Sequence, residues 1–470
     1  MSRTFVVIGG GIAGLAAALE LAEGSRPGSA APTVTLLEAS DRFGSKIATE
    51  HRDGFLLEAG PDSFARHNPA GLGLVRELGL DERLLPTRPG RVYAVHGRRL
   101  VPLPAGLHLV VPTRLAPALA SPLLSWRGKA RLLGDLVLPR RRGEGEESVG
   151  SFVRRRLGAE YLARVAGPLL AGIHATDADR LSLEAAFPRL AGLERRHRSL
   201  ILGARRESGG AGRDHESGGA RVTLAGGLGE LVGALVGRLG ERGVELRTGR
   251  PAAALEAVGG PGSGPAPAWR LRFEGGGELE ADGVVLAVPA ARAGRLLAGV
   301  APGLAAPLAG LPAASTATVS LAYPRGAVRH PLDGVGFLVP AGEGLAVTAC
   351  TFSSSKFPGR APEGHVLLRA YVGGSRGGER ARGEEAELVA RVHGELTDLL
   401  GLSGEPVLTR VHRFLDANPR YVLGRAEQVG AVEAALPPGL ALAGCAYHGL
   451  GIPDCIASGR RAAQRLRDRY

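Results

Sequence analysis

The sequence predicts an α/β protein of two or three domains that opens on a Rossmann-type dinucleotide fold. Three observations carry this. The 470 residues exceed what one hydrophobic core usually serves. TFVVIGGGIAGLAAALELAEG reads as strand, glycine turn and helix, and TVTLLEA reads as a second strand ending in an acid. A composition of 44% hydrophobic and 22% charged residues, with 72 Gly and 32 Pro, suits a soluble globular chain rich in tight turns and excludes global disorder.

The first strand, Phe5 to Ile8, runs into Gly9, Gly11 and Gly14 in the G-x-G-x-x-G pattern. The three glycines serve a tight turn, close approach of backbone to a pyrophosphate, and close packing of helix on strand. Ile12 and Ala13 open the helix, whose N-terminal N–H groups attract phosphate. Glu38, followed by Ala39, lies 24 residues after Gly14. That is close to the spacing of about 20 expected for an acid on a ribose, the excess lying in the loop GSRPGSAAPT. This fingerprint alone does not separate FAD from NAD. The next stretch does, ASDRFGSKIATEHRDGFLLEAGPDSF, with Arg42, Gly44, Ser45 and Lys46 followed by the turn Gly60-Pro61-Asp62-Ser63. An NAD dehydrogenase returns here to a crossover helix, whereas an irregular segment can track the longer FAD. FAD is the better reading.

Further along, RRESGGAGRDHESGGA (205–220) and GGPGSGPAPA (259–268) read as loose linkers. The uncharged stretch from Leu296 to Pro324 is long enough to span a bilayer, but Pro302, Pro307 and Pro312 interrupt it, so it reads as loops and a strand. Val101 to Ser125 is apolar but carries Arg114 and five prolines, so no membrane span is expected. The chain closes on GCAYHGLGIPDCIASGRRAA, Gly444 to Ala463, a second glycine-dense turn running into a helix.

Charge and cysteines narrow the function. The net charge of +12 is almost wholly arginine, since the lysines are Lys46, Lys129 and Lys356, and no arginine run is interleaved with aromatics. Nucleic acid is therefore not an expected partner. Cys350, Cys445 and Cys455 have neither even pairing nor metal-ligand spacing, which points to a reducing compartment and to no metal. MSRTFVVIGGG lacks the pattern of a targeting leader, so the expected location is cytoplasmic. No Ser/His/Asp, Cys/His or His-x-x-His arrangement is found, and His174 and His448 read as packing residues.

GGGIAGL with DRFGSK resembles the amine-oxidase and phytoene-desaturase group of flavoproteins. GPDSF, ESVGSFVRRRLG, AGPLLAGIHATDADRLSLEAAFPRL, RRHRSLILG, LAGGLGELVGAL, VVLAVPA, DGVGFLVP, NPRYVLG and the C-terminal turn resemble, within it, the FAD-dependent protoporphyrinogen and coproporphyrinogen oxidase family. These motifs span almost the whole chain in order, and GIPDCI with GPDSF resembles the soluble bacterial coproporphyrinogen III oxidase type. The resemblance implies an FAD domain from discontinuous segments (1–90, 222–295 and 408–470), a mostly helical, membrane-binding-like domain (91–221) and a sheet-containing substrate domain (296–407). It implies non-covalent FAD, with Gly449, Gly451, Ile452 and Pro453 closing over the flavin ring and Ala252 meeting the adenine through its backbone. Ser45 replaces the second glycine of the family's G-G-K turn.

The chemistry implied is oxidation of a porphyrinogen to a porphyrin in haem biosynthesis, most simply coproporphyrinogen III to coproporphyrin III. Flavin N5 is the hydride acceptor and no side-chain base is identified. GGLGEL near 226 lacks the spacing of a second nucleotide fingerprint, so molecular oxygen is the expected acceptor and hydrogen peroxide the product. Peripheral membrane contact and hand-off to a downstream ferrochelatase belong to the same expectation. For the substrate, the resemblance implies Arg91 as a carboxylate ligand. Many relatives carry a lysine at Asn68, leaving Arg66 or His67 to replace it, while Phe337 and Phe352 are candidates to wall the macrocycle, with core packing expected for one of them. Rival readings are protoporphyrinogen IX oxidation, an amine oxidase or carotenoid desaturase, and a flavin- or haem-carrying protein without turnover. The amine oxidase reading is weakened because only Tyr447 is aromatic beside His448, where that group keeps an aromatic pair.

Overall fold

The computed structural model describes residues 3–24, 30–108, 110–141, 145–174, 176–207, 220–258, 268–374 and 377–469. Most of the two linkers, 208–219 and 259–267, lies outside the described residues.

The N-terminal strand β1 (Thr4–Ile8) is the centre of a five-stranded parallel sheet. On one side lie β2 (Thr33–Leu37) and then Glu245–Arg247; on the other lie Gly283–Leu286 and then Leu440–Leu442. Because both faces are covered, β1 is apolar throughout. Phe5 and Val7 pack under α1 (Ile12–Glu23), Gly229–Glu241 and the C-terminal helix Ile452–Arg469. Val6 and Ile8 pack against a three-stranded antiparallel sheet and the helices Ala290–Leu297 and Pro302–Ala309. This is the doubly covered parallel sheet whose strands read as continuous hydrophobic runs.

The stretch 296–324, expected as loops and a strand, therefore holds helix Pro302–Ala309 before strand Ala313–Pro324. Proline is compatible with this helix because Pro302 stands in its first turn, where an N–H would be unpaired anyway. Gly303, whose carbonyl would have received the Pro307 N–H, is exposed to water.

A second, seven-stranded sheet runs in the order 408–419, 313–324, 365–373, 347–352, 334–338, 91–96, 99–102. All its pairings are antiparallel except Gly334–Leu338 with Arg91–His96. Helix Glu385–Leu400 covers one face through Leu388, Val392, Leu396 and Leu400, a spacing of four that places them on one stripe. Three expected boundaries move as a result. Residues 91–102 belong to this sheet and not to the helical segment, 408–419 forms its opposite edge and not part of the nucleotide domain, and the nucleotide domain runs on through Ala309. Sequence periodicity could place the strands but not say which sheet each joins.

The helical segment between the sheets has its own core, built from Phe152, Tyr161, Leu170, Leu190 and Leu200 among others. A buried ion pair, Arg156 with Asp135, lies inside it, and Asp135 also accepts from Ser199 Oγ and Ile201 N–H. Among the described residues no helix is long and apolar enough to cross a membrane.

Candidate functional site

Both glycine turns meet at the carboxyl end of the parallel sheet. Gly9 has φ +108°, and a Cβ there would sit 2.5 Å from the Ala287 carbonyl oxygen. A Cβ on Gly14 would fall 1.9 Å from Gly9 O, so α1 lies directly on the turn. Gly11 is different: it is the N-cap of α1, no side chain caps it, and the nearest atom to an added Cβ is Ser45 Cβ at 3.4 Å. The N–H groups of Ile12 and Ala13 thus open the helix onto free space with no acid in the first turn. A helix N-terminus carries roughly half a positive charge, and this one is shaped for a phosphate.

Glu38 Oε2 accepts from Gly10 N–H at 2.7 Å, and Oε1 accepts from the N–H and hydroxyl of Ser40, both at 2.8 Å. The DRFGSK loop folds onto the cradle: Gly44 N–H donates to Gly10 O at 2.8 Å, and Arg42 Nη2 donates to Ser45 O at 2.6 Å. Ser45, at φ +51°, adopts the left-handed conformation of the glycine it replaces. Ala39 is exposed beside Glu38. Arg250 N–H donates to Glu38 O at 2.9 Å, which brings Ala252 near the same edge, its carbonyl accepting from Arg292.

The C-terminal turn approaches from the other side. The C-terminal helix packs along α1 so closely that a Cβ on Gly459 would lie 2.0 Å from Ala13 O. Its amides differ from expectation. Gly449 N–H donates to the Tyr421 hydroxyl and Gly451 N–H to Asp454 Oδ2 at 3.1 Å, so both are engaged internally. Pro453 has no N–H and packs on α2 (Pro69–Glu77) beside Gly71. Among the described residues, Ile452 N–H alone of these four positions offers a donor without an internal acceptor.

The Gly60–Ser63 turn is clamped to the seven-stranded sheet. Lys356 Nζ donates to both Asp62 oxygens at 2.9 and 2.8 Å, and Arg369 lies 3.3 Å from Asp62 while donating to Gly60 O at 3.0 Å. Ser63 Oγ donates to Asp62, and Arg221 donates to Ser63 O. Burial by itself would raise the Asp62 pKa, but Lys356 and Arg369 outweigh it and hold the carboxyl well below the usual range. Nearby Glu58 has the opposite balance: burial pushes it up to about 7, although it accepts from Leu228 N–H and Thr49. Lys46 donates to Ala417 O and lies 3.5 Å from Cys445 Sγ.

The substrate candidates scatter. Arg91 is exposed at the start of the next-to-edge strand Arg91–His96, 3.5 Å from Asp333, which also receives the Tyr93 hydroxyl. Phe337 and Phe352 are 1% and 0% exposed, with rings 6.1 Å apart in the core under helix Glu385–Leu400. Strand alternation turns both toward that helix and into the core, so neither is placed to wall a macrocycle. Arg369 and Tyr371 stand on the opposite face, alternating with Leu368, Ala370 and Val372 in the core, a period of two legible in HVLLRAYVG. Asn68 is half-buried and committed, accepting from Ala70 N–H and donating to Asp454. Arg66 is exposed, as is His67, whose pKa is lowered by burial and by the charge of Arg189. Arg189 was not singled out by the sequence, since only the fold brings its helix to residue 67. His448 does not pack: it hydrogen-bonds Glu433 at 2.8 Å from an exposed position. The His174 side chain lies outside the described residues.

A phosphate cradle at the end of a doubly covered parallel sheet, joined to a second sheet by a charged clamp and closed by a distant glycine turn, defines a two-sheet dinucleotide-binding oxidoreductase. The chain belongs to the family described as flavin containing amine oxidoreductase, which matches residues 12–467, and within it groups with the porphyrinogen oxidases. It is 39% identical to the coproporphyrinogen III oxidase of Propionibacterium freudenreichii subsp. freudenreichii, over 98% of this chain and 90% of that one. It is 35% identical to the coproporphyrinogen III oxidase of Bacillus subtilis strain 168, over 97% and 96%. A crystal structure from Exiguobacterium sp. 255-15, provisionally named a protoporphyrinogen oxidase, superposes with TM-score 0.86 at 30% identity over the full length of both chains.

Proposed function

We propose that the protein oxidises coproporphyrinogen III to coproporphyrin III in haem biosynthesis, using non-covalent FAD and molecular oxygen and releasing hydrogen peroxide. The observation that carries this reading is the full-length likeness to the Propionibacterium coproporphyrinogen III oxidase.

The residues present fit FAD. Gly9 makes the tight turn and Gly11 leaves room for the pyrophosphate, which the N–H groups of Ile12 and Ala13 would face, while Glu38 would take the ribose hydroxyls and Ala252 would border the adenine. When bound, the flavin supplies a hydride acceptor at N5 and returns the electrons to oxygen. Ile452 N–H at the start of the C-terminal helix would turn a helix dipole toward the flavin ring. Tyr371 is held protonated by burial and Arg369 is committed to the clamp, so neither supplies a base. Each of three two-electron steps removes a hydride from a meso carbon and releases a proton, from the pyrrole N–H groups or the remaining meso carbon, to water, so that three molecules of oxygen are reduced to three of hydrogen peroxide. Arg66 and Arg189, exposed beside His67, receive the propionates at the rim. Free Cys350, Cys445 and Cys455 fit a cytoplasmic setting, with at most peripheral membrane contact and with a ferrochelatase taking up the porphyrin downstream.

A second reading, oxidation of protoporphyrinogen IX, is favoured by the Exiguobacterium likeness. Anaerobic reduction of the bound flavin by each porphyrinogen, followed by turnover in air, separates the two. The higher kcat/KM names the substrate, and a flavin bleached by neither overturns both.

A further inference from the structure

Two of the three cysteines stand together where neither flavin binding nor porphyrinogen oxidation needs a thiol. Cys445 follows Gly444 just beyond strand Leu440–Leu442, and Cys455 is the fourth residue of the C-terminal helix, so the pair brackets the glycine turn. Both are free thiols; Cys445 is half-buried and Cys455 buried. The Tyr421 hydroxyl ties the ends of the turn together, donating to Cys445 O at 2.9 Å and accepting from Gly449 N–H, which brings the two thiols toward each other. The Lys46 ammonium lies 3.5 Å from Cys445 Sγ, and Cys455 Sγ lies 4.0 Å from Gly449 O. Cys350 is the contrasting case: it is buried in the seven-stranded sheet, away from any other thiol.

We propose that Cys445 and Cys455 form a peroxide-reactive dithiol, in which Cys445 attacks the peroxide and Cys455 closes a disulfide across the turn. A thiolate is the reactive form of cysteine, and a neighbouring cation with a thiol donor favours it. The Cys455 thiol and then Lys46, working against burial, draw the Cys445 pKa down, while Cys455 is pushed up and Cys350 is raised by burial. The roles therefore divide: Cys445 is the attacking sulfur and Cys455 the resolving one.

The chemistry balances. Cys445 thiolate takes one oxygen from hydrogen peroxide as the O–O bond breaks, giving a sulfenic acid and a hydroxide that is protonated to water. The Cys455 thiol then displaces the sulfenic hydroxyl, forming the S–S bond and releasing a second water with its proton. Two thiols lose two electrons and one peroxide gains them. The inference rests on the proposed oxidase reading only for the source of peroxide, which that reaction would release close by.

The test uses the full-length FAD-loaded protein, a small excess of hydrogen peroxide, alkylation and peptide mass mapping. The expected result is a Cys445–Cys455 cross-linked peptide with a mass loss of about 2 Da, reversed by dithiothreitol, with Cys350 still alkylated. Cys455→Ser should trap Cys445 as a dimedone-reactive sulfenic acid, and Cys445→Ser should leave Cys455 a thiol. Wild-type protein in which both cysteines stay alkylatable after peroxide overturns the proposal, as does Cys455→Ser without a dimedone adduct. Turnover of porphyrinogen in air, without added peroxide, should give the same cross-link. A cross-link with added peroxide and none during turnover leaves the dithiol standing and overturns the peroxide-releasing reaction instead.

Discussion

The Asn68 side-chain amide donates to Asp454 Oδ1 at 2.9 Å, a bond between residues 386 apart in the chain. Asn68 also caps α2, while the other Asp454 oxygen takes Gly451 N–H. One side chain thus pins the start of α2 to the start of the C-terminal helix.

Asn68→Ala should cost about 1–2 kcal/mol, the range for losing a cap. It should also loosen the flavin, because the turn above it loses its anchor. Thermal unfolding and the rate of flavin release on dilution check both effects. Asn68→Asp keeps the cap but sets two carboxylates face to face, and its loss should exceed that of Asn68→Ala at pH 8.

The two cradle glycines should fail differently. Gly14→Ala puts a Cβ 1.9 Å from Gly9 O and should cost on the order of 4 kcal/mol or prevent folding. Gly11→Ala has open space and should leave the flavin-free protein near wild-type stability while removing bound flavin, which fills that space in the proposed complex. Melting of the flavin-free proteins and their flavin absorbance after reconstitution tell the two apart.

Glu38→Ala should weaken FAD retention by about 2 kcal/mol, roughly 30-fold in Kd. The carboxylate both offers oxygens to the ribose and holds Gly10 and Ser40. Titration of flavin-free protein with FAD measures the shift, and an unchanged Kd would remove Glu38 from the site.

Two buried carboxylates should shape stability in opposite pH windows. Folded Glu58 holds its proton up to about pH 7 against an ordinary 4.5, so the native state binds more protons and stability falls as pH rises between these values. The loss is on the order of 3 kcal/mol at most, and Glu58→Gln should flatten it. Asp62 is depressed, so its contribution is present above the ordinary aspartate range and is lost as pH falls below about 4. Urea unfolding at pH 3.5, 5 and 7.5 resolves both.

Arg189→Ala should raise KM for coproporphyrinogen several-fold with kcat nearly constant, the signature of lost uniform binding. Arg91→Ala should do less, since Asp333 already holds that guanidinium in an exposed pair. Steady-state kinetics on the two variants ranks them, and the reverse order would move the propionates to Arg91.

What the sequence made legible was local chemistry. Gly9, Gly11, Gly14 and Glu38 carry their reason in their spacing, because one strand, one turn and one helix suffice to position them. The status of Gly449 and Gly451 was not legible, since Tyr421 and Asp454 claim their N–H groups through tertiary contacts. Phe337 and Phe352 are instructive: aromatic character suggested a wall, but strand parity set against helix Glu385–Leu400 decides which face they occupy. Arg189 could not be found because nothing in PRLAG announces that His67 lies near it.

The order of strands in the parallel sheet bears on how the protein is made. Strand β1 is made before its partners, but it sits between β2 and Gly283–Leu286, and the sheet ends on Leu440–Leu442. The turn and helix facing the phosphate cradle are synthesised after all five of these strands. Contacts of such high sequence separation fold slowly, and their apolar strands stay exposed meanwhile. Cofactor capture must therefore follow synthesis of that turn, and a nascent chain stalled short of residue 440 would carry a complete nucleotide fingerprint that cannot hold its ligand.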